Sequence, residues 1–299
     1  MSIDPTKYAD PNYFKVSLKT PMAIAIAGGA DSGKKAFCEA LTSRLNKYAT
    51  KVALLSLTQF YRELTPKERI KYEAGEFYSD HPDAFDMELL KETVRSILAG
   101  KSTTVPEWDA SSHTRKGTRV MEPVDVLLIE GTLLLYDKEL SDLMFMKVFI
   151  DEDSDERLAR RVRKTKVRNG QVLTIKEVLM EYVEKVKPMY EEFILPSKKN
   201  ADIVIPRGVE NQIALKVLTN RIEEYIESLS KSESKSSSFN STNASTASSS
   251  VTASSLLDEA AGNTTAAGAG SNNNTKKDQI HAAGLLAQQV SSSYKNIPK

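Results

Sequence analysis

The sequence predicts an α/β fold: a parallel sheet with helices on both faces. Short apolar runs alternate with stretches of helical periodicity, the pattern of strands buried on both faces and joined by crossover helices. The first run ends in paired glycines directly before a helical pattern. Gly28, Thr58, Glu130 and Asp151 all fall at or just past the ends of apolar runs, where open parallel sheets place their sites.

Residues 1–20 are polar with scattered aromatics and read as an N-terminal arm. Residues 22–27, Met-Ala-Ile-Ala-Ile-Ala, have no polar face and predict a fully buried strand. Residues 34–48 place Phe37, Leu41, Leu45 and Tyr48 on one helical face. Residues 52–57 give a second strand. Over 84–99, Phe85, Leu89, Leu90, Val94, Ile97 and Leu98 recur at three- and four-residue steps, and Gly100 stands where a helix ends in a left-handed residue. Residues 124–129 give a third strand running into Glu130-Gly131, 146–150 a fourth and 203–205 a short fifth. Helical patterns at 154–164, 174–194 and 209–228 fill the gaps, so one domain spans 21–228. Beyond it Ser, Asn, Thr, Ala and Gly dominate, and too few apolar side chains remain to offset the entropy of ordering. Residues 229–299 are therefore expected to be a disordered tail, with apolar islands at Leu256-Leu257 and 280–290. The second island could form a transient amphipathic helix for a partner.

The charge balance of 41 Lys+Arg against 40 Asp+Glu gives no electrostatic case for nucleic acid or a membrane surface. No apolar run approaches the ~20 residues of a membrane helix. A single cysteine, Cys38, precludes an internal disulfide and suits a reducing compartment. The opening residues Met1-Ser2-Ile3-Asp4-Pro5 lack signal-peptide character. The expectation is a cytoplasmic protein, with the nucleus also open to it.

Gly28-Gly29-Ala30-Asp31-Ser32-Gly33-Lys34 fits G-x-x-x-x-G-K between a buried strand and an amphipathic helix, the context that distinguishes a phosphate loop from an ordinary glycine turn. This places the chain in the P-loop NTPase/kinase fold. Backbone N–H groups of such a loop wrap phosphate at a helix N-terminus, with Lys34 reaching the β- and γ-phosphates, so the expected cofactor is ATP. The next position normally carries the Ser or Thr whose hydroxyl binds Mg²⁺; here it is Lys35, which has no lone pair for a metal. Asp31 adds a carboxylate to a loop that attracts anions. Glu130, at a strand end beside the loop, is the candidate metal-shell carboxylate, against the plainer reading of a helix-capping or turn-binding acid.

Longer strings follow in order: Phe60-Tyr61-Arg62, Asp80-His81-Pro82-Asp83-Ala84-Phe85-Asp86, Ser112-His113-Thr114-Arg115, Glu130-Gly131, Val186-Lys187-Pro188, Pro196-Ser197-Lys198-Lys199 and residues 201–208, Ala-Asp-Ile-Val-Ile-Pro-Arg-Gly. With these the chain resembles the uridine–cytidine kinases over about residues 20–228. The resemblance implies ATP-dependent phosphorylation of the 5′-hydroxyl of a pyrimidine ribonucleoside, as in pyrimidine salvage. It implies that Asp80 holds the ribose hydroxyls, that His113 contacts the base, and that Tyr61, Trp108, Arg115 and Arg161 complete the acceptor site. It also implies oligomers, either of this chain or with an active kinase.

Several positions depart from the family pattern. Thr58 stands where the family has the aspartate that acts as general base, and a threonine hydroxyl cannot take a proton at neutral pH. Trp108 replaces a tyrosine, while Ala110 and Ser79 replace phenylalanines. Residues 157–168 carry Arg157, Arg160, Arg161, Arg163, Lys164, Lys166 and Arg168, read as a phosphate-clamping lid from their place after the fourth strand. Arg161 matches a family arginine, but beyond it family arginines are replaced by Lys164-Thr165 and by Asn169-Gly170-Gln171. Two functions follow: a slow or altered nucleoside kinase, or a catalytically inactive relative serving as a binding or regulatory module.

Overall fold

A computed structural model describes residues 21–46, 50–168 and 170–242, with side chains placed up to residue 228. The arm 1–20, the apolar islands at Leu256-Leu257 and 280–290, and the rest of the tail beyond 242 lie outside the described residues.

Strand β1, Met22–Gly28, is buried at every residue and stands at the centre of the sheet. Helix α1, Lys34–Leu45, follows it, then β2, Val52–Ser56. After helices α2, Pro66–Glu73, and α3, Met87–Leu98, an antiparallel hairpin of β3, Thr103–Asp109, and β4, Thr114–Met121, stands apart from the main sheet. Next come β5, Val126–Gly131, α4, Lys138–Asp142, and β6, Met146–Asp151. Helix α5, Ser154–Arg163, leads to a two-stranded lid of β7, Val167–Arg168, and β8, Gln171–Val172. A long helix then occupies residues 175–197, and β9, Ile203–Pro206, precedes the C-terminal helix Gln212–Thr242.

The five main strands run in the order β2-β5-β1-β6-β9, all parallel. Alternation along β1 divides the core. Ala23, Ala25 and Ala27 face one layer with Leu90, Val94, Ile97 and Ile194. Met22, Ile24 and Ile26 face the other with Phe37, Leu41, Leu45, Leu215 and Ile222. Every expected strand is thus present, and helices cover both faces. The pairing Ile26↔Glu130 and Gly28↔Ile150 brings the carboxyl ends of β5, β1 and β6 to one edge.

Three elements differ from expectation. The helix expected from 84 begins at Met87, where Asp86 caps it by accepting from the Leu89 N–H at 3.1 Å. Phe85 instead bridges to Tyr61. The helix expected over 174–194 runs on to Ser197, carries two π-helical turns, Tyr182–Val186 and Tyr190–Ile194, and admits Pro188 and Pro196. Third, the last helix continues to Thr242, so residues 229–242 are helical where disorder was expected. That stretch has no Gly or Pro, and extending a nucleated helix costs far less than starting one.

Candidate active site

The phosphate loop joins β1 to α1. A Cβ on Gly28 would lie 2.6 Å from the Ile150 carbonyl oxygen, and Gly33, at φ 86°, caps α1 in the left-handed region, so both positions require glycine. Asp31 is also left-handed, at φ 62°. Lys34 is buried, and its ammonium donates to the Gly29 carbonyl at 2.7 Å. Burial pulls the Lys34 pKa down, opposed by Glu130, Asp80 and Asp31. The Ser32 hydroxyl is buried in the loop without a hydrogen-bond partner, a polar atom left for a ligand to satisfy. Lys35 turns away: its side chain is 74% exposed, 4.0 Å from Glu39 one helical turn on. It does not fill the place of a metal.

Beside the loop lies a cavity of about 580 Å³ whose lining includes Asp31, Thr58, Tyr61, Asp80, Trp108, His113 and Arg161. Four sequence segments thus meet the phosphate loop around one space. Tyr61 stacks on Phe85 with centroids 4.4 Å apart and leans on Trp108 at 5.3 Å and His113 at 5.0 Å. His113, left-handed at φ 53°, closes the hairpin turn, and Arg69 donates to the Ser112 carbonyl at 2.8 Å and the His113 carbonyl at 3.0 Å. Its Nε2 is buried without a partner. Burial, reinforced by Arg69, pushes the imidazole pKa down to about 4, so the ring is neutral at physiological pH and its free nitrogen can meet a polar edge. Ser79 and Ala110 also line the cavity.

Asp80 is a half-buried carboxylate of the cavity lining. Burial raises its pKa, against the pull of Arg161, Lys34 and Lys166. At the end of β2 the Thr58 hydroxyl lies 2.8 Å from the Ser56 hydroxyl, which donates to Glu130. These oxygens form one cluster beside the loop.

The lid folds onto the loop. Arg161 reaches Asp31 at 3.3 Å and also holds Glu181, while Lys164 reaches Asp31 at 2.6 Å and Arg168 pairs with Glu181. Burial pushes the Asp31 carboxyl up, but Lys164, Lys166 and Arg161 outweigh it and hold the pKa below its ordinary value.

The family model for the phosphoribulokinase / uridine kinase family matches residues 23–214. Uridine-cytidine kinase 2-B of Danio rerio is 40% identical over 216 residues, covering 70% of this chain and 82% of that protein. The chain belongs to this family, among the uridine–cytidine kinases. Uridine-cytidine kinase A of Dictyostelium discoideum is 39% identical over 209 residues, covering 70% of this chain and 40% of that longer relative. Among solved structures, phosphoribulokinase from Rhodobacter spheroides superposes with a TM-score of 0.47 at 14% identity, covering 63% of this chain and 70% of that one.

In this family member most residues expected at the site converge on it. Arg115 does not line the cavity. It donates to Asp86 at 3.1 Å and to the Tyr61 carbonyl at 3.3 Å, bracing the wall from behind. Sequence reasoning missed Arg69, Tyr72 and Phe77. Tyr72 stacks on His113 with centroids 4.3 Å apart, and Phe77 meets it edge-on at 6.1 Å. Helix α2, which carries Arg69 and Tyr72, buries no residue and so leaves no apolar period to detect. Its one signal is local: Thr65, Pro66 and Glu68 form a capping box with proline at the first turn.

Among the described residues no three His, Cys, Asp or Glu side chains gather as a metal site. Mg²⁺ carried on a triphosphate needs less, usually one or two carboxylates besides phosphate and water. Glu130 with the Ser56 and Thr58 hydroxyls supplies hard oxygen donors of that kind, so the residues present fit the ion without the usual hydroxyl at position 35.

Proposed function

We propose that the chain transfers a phosphoryl group from ATP to the 5′-hydroxyl of uridine or cytidine, at a rate reduced by its substitutions. The observation that carries this reading is the single cavity joining the phosphate loop, at Ala30 and Asp31, to Asp80 and the aromatic cluster around His113. Phosphate is bound by the N–H groups of the loop, the Ser32 hydroxyl and Lys34, whose ammonium exchanges the Gly29 carbonyl for phosphate oxygen. Asp80 accepts from the ribose cis-diol, which returns hydrogen bonds to a carboxylate that burial disfavours. Tyr61 and Trp108 face the base, and neutral His113 meets its polar edge. Glu130, Ser56 and Thr58 would hold Mg²⁺, whose charge would offset that of the phosphates. No carboxylate stands at position 58 to take the hydroxyl proton, a loss of roughly 10²–10⁴ in rate.

Product analysis tests the reading. Incubation with ATP and Mg²⁺ gives uridine or cytidine 5′-monophosphate, and the 2′-deoxynucleosides, which lack half of the diol, react at least tenfold more slowly. Equal rates with ribo- and deoxynucleosides would remove Asp80 from the assigned role.

Thr58 and the outward-turned Lys35 favour a second reading, a binding or regulatory module paired with an active kinase or with its own copies. It requires ATP or nucleoside binding without turnover, and a changed rate when the chain is mixed with an active family kinase.

A further inference from the structure

The lid is rich in cations, yet nearly all are already committed. Arg160 binds Glu152 at 2.7 Å and Glu156 at 3.0 Å. Arg163 turns out toward Glu156. Arg161 is shared between Asp31 and Glu181, Lys164 holds Asp31, and Arg168 holds Glu181. Lys185, at the cavity wall, donates to the Gly75 carbonyl. Asp31, the carboxylate that is out of place in a phosphate loop, thus draws Arg161 and Lys164 away from a ligand's phosphates. Lys166 differs. It lines the cavity, and its ammonium makes no hydrogen bond or ion pair among the described residues. Its backbone is fixed, because the Lys166 carbonyl accepts from the Leu173 N–H at 2.9 Å and closes the base of the lid hairpin.

We propose that Lys166 is a catalytic residue of this site, the lid cation that touches the oxygens of the phosphoryl group in transfer. This rests on the nucleoside-kinase reading and names the group that supplies positive charge from the lid side. Lys166 shares the cavity with Asp80, the ribose carboxylate, and with Asp31 of the phosphate loop, and its charge acts on both carboxylates. No bond to it forms. The acceptor oxygen bonds to phosphorus, the bond to the ADP oxygen breaks with its electron pair, and the hydroxyl proton is lost to water. A cation at the equatorial oxygens is most useful where charge is spread over them during transfer. Burial and Arg161 pull the Lys166 pKa below its ordinary value, against Asp31 and Glu181, so the ammonium is more readily lost at high pH than an exposed lysine.

The test uses the full chain with ATP, Mg²⁺ and uridine. Lys166→Met keeps the length of the side chain and removes only the charge, and a melting curve confirms that it folds. The proposal expects kcat to fall about 10²-fold or more, with the uridine KM within about threefold of wild type. Lys166→Arg should restore part of the rate and move the alkaline limb of the kcat profile to higher pH, which a merely structural lysine would not do. Lys138→Ala, at an exposed side chain of α4 paired among the described residues only with Asp142, should keep the wild-type rate. If wild type turns over and Lys166→Met retains kcat within threefold, the proposal is overturned while the kinase reading stands. If wild type does not turn over, the kinase reading falls. The assignment is then judged by ATP titration calorimetry, where an affinity about tenfold weaker in Lys166→Met supports phosphate contact and an unchanged affinity refutes it.

Discussion

Replacing Thr58 by aspartate tests whether the missing carboxylate limits the reaction. Thr58 ends a hydrogen-bonded chain, 2.8 Å from the Ser56 hydroxyl that donates to Glu130, and it faces the cavity. A positioned general base contributes roughly 10²–10⁴ in rate, about 3–5 kcal/mol at 1.36 kcal/mol per tenfold. The new carboxylate also meets Glu130. Two such charges about 6 Å apart repel by about 3 kcal/mol at an effective dielectric of about 20, and the Lys34 charge, which acts on Glu130, offsets part of that. The gain therefore survives, and kcat for uridine in Thr58→Asp should rise at least about tenfold, toward about 10³-fold. Adding Lys35→Thr restores a metal-binding hydroxyl. It gives up only an exposed pair with Glu39 at 4.0 Å, of a kind worth a few tenths of a kcal/mol. The assay is steady-state formation of uridine 5′-monophosphate, with melting temperatures compared. A folded Thr58→Asp enzyme with kcat within threefold of the parent would refute the assignment of Thr58 to the base position.

Other consequences are equally direct. Asp80→Asn keeps the shape of the ribose contact and removes its charge. The uridine KM should rise by about tenfold or more, since charged hydrogen bonds are about twice as strong as neutral ones, while ATP affinity changes little. His113 is neutral in the folded chain, with a pKa of about 4 against an ordinary 6.5. The unfolded state therefore binds more protons between these values, so stability is full above about pH 6.5 and falls as pH drops toward 4, by up to a few kcal/mol. His113→Gln should flatten that part of the profile of melting temperature against pH. Cys38 is fully buried and its thiol pKa is pushed up by burial, so it should resist alkylation at pH 8 until the chain unfolds.

What the sequence revealed follows from how locally each feature is encoded. The strands of the parallel sheet were legible because burial on both faces leaves uninterrupted apolar runs, as in residues 22–27. The phosphate loop was legible because its geometry demands glycine at positions 28 and 33. The β3–β4 hairpin was not legible: β4 exposes most of its residues and β3 contains Pro106, so neither shows a clean alternation. Arg115 was placed at the acceptor because it sits in one string with His113. The strand pleat turns it instead toward Asp86, behind the wall. The commitment of Arg161 and Lys164 to Asp31 joins residues about 130 positions apart in the chain, and no local pattern could announce it. The departures at 35 and 58 were visible as residue types. That Lys35 points away from the loop required the fold.

The most direct test of the nucleoside-kinase account is turnover of uridine and cytidine by the purified chain with ATP and Mg²⁺, beside Lys34→Ala. The account predicts 5′-monophosphate formation at a low rate that disappears in the variant, because Lys34 is the buried cation of the phosphate loop. Equal rates in the two proteins, or no product from either, would contradict it.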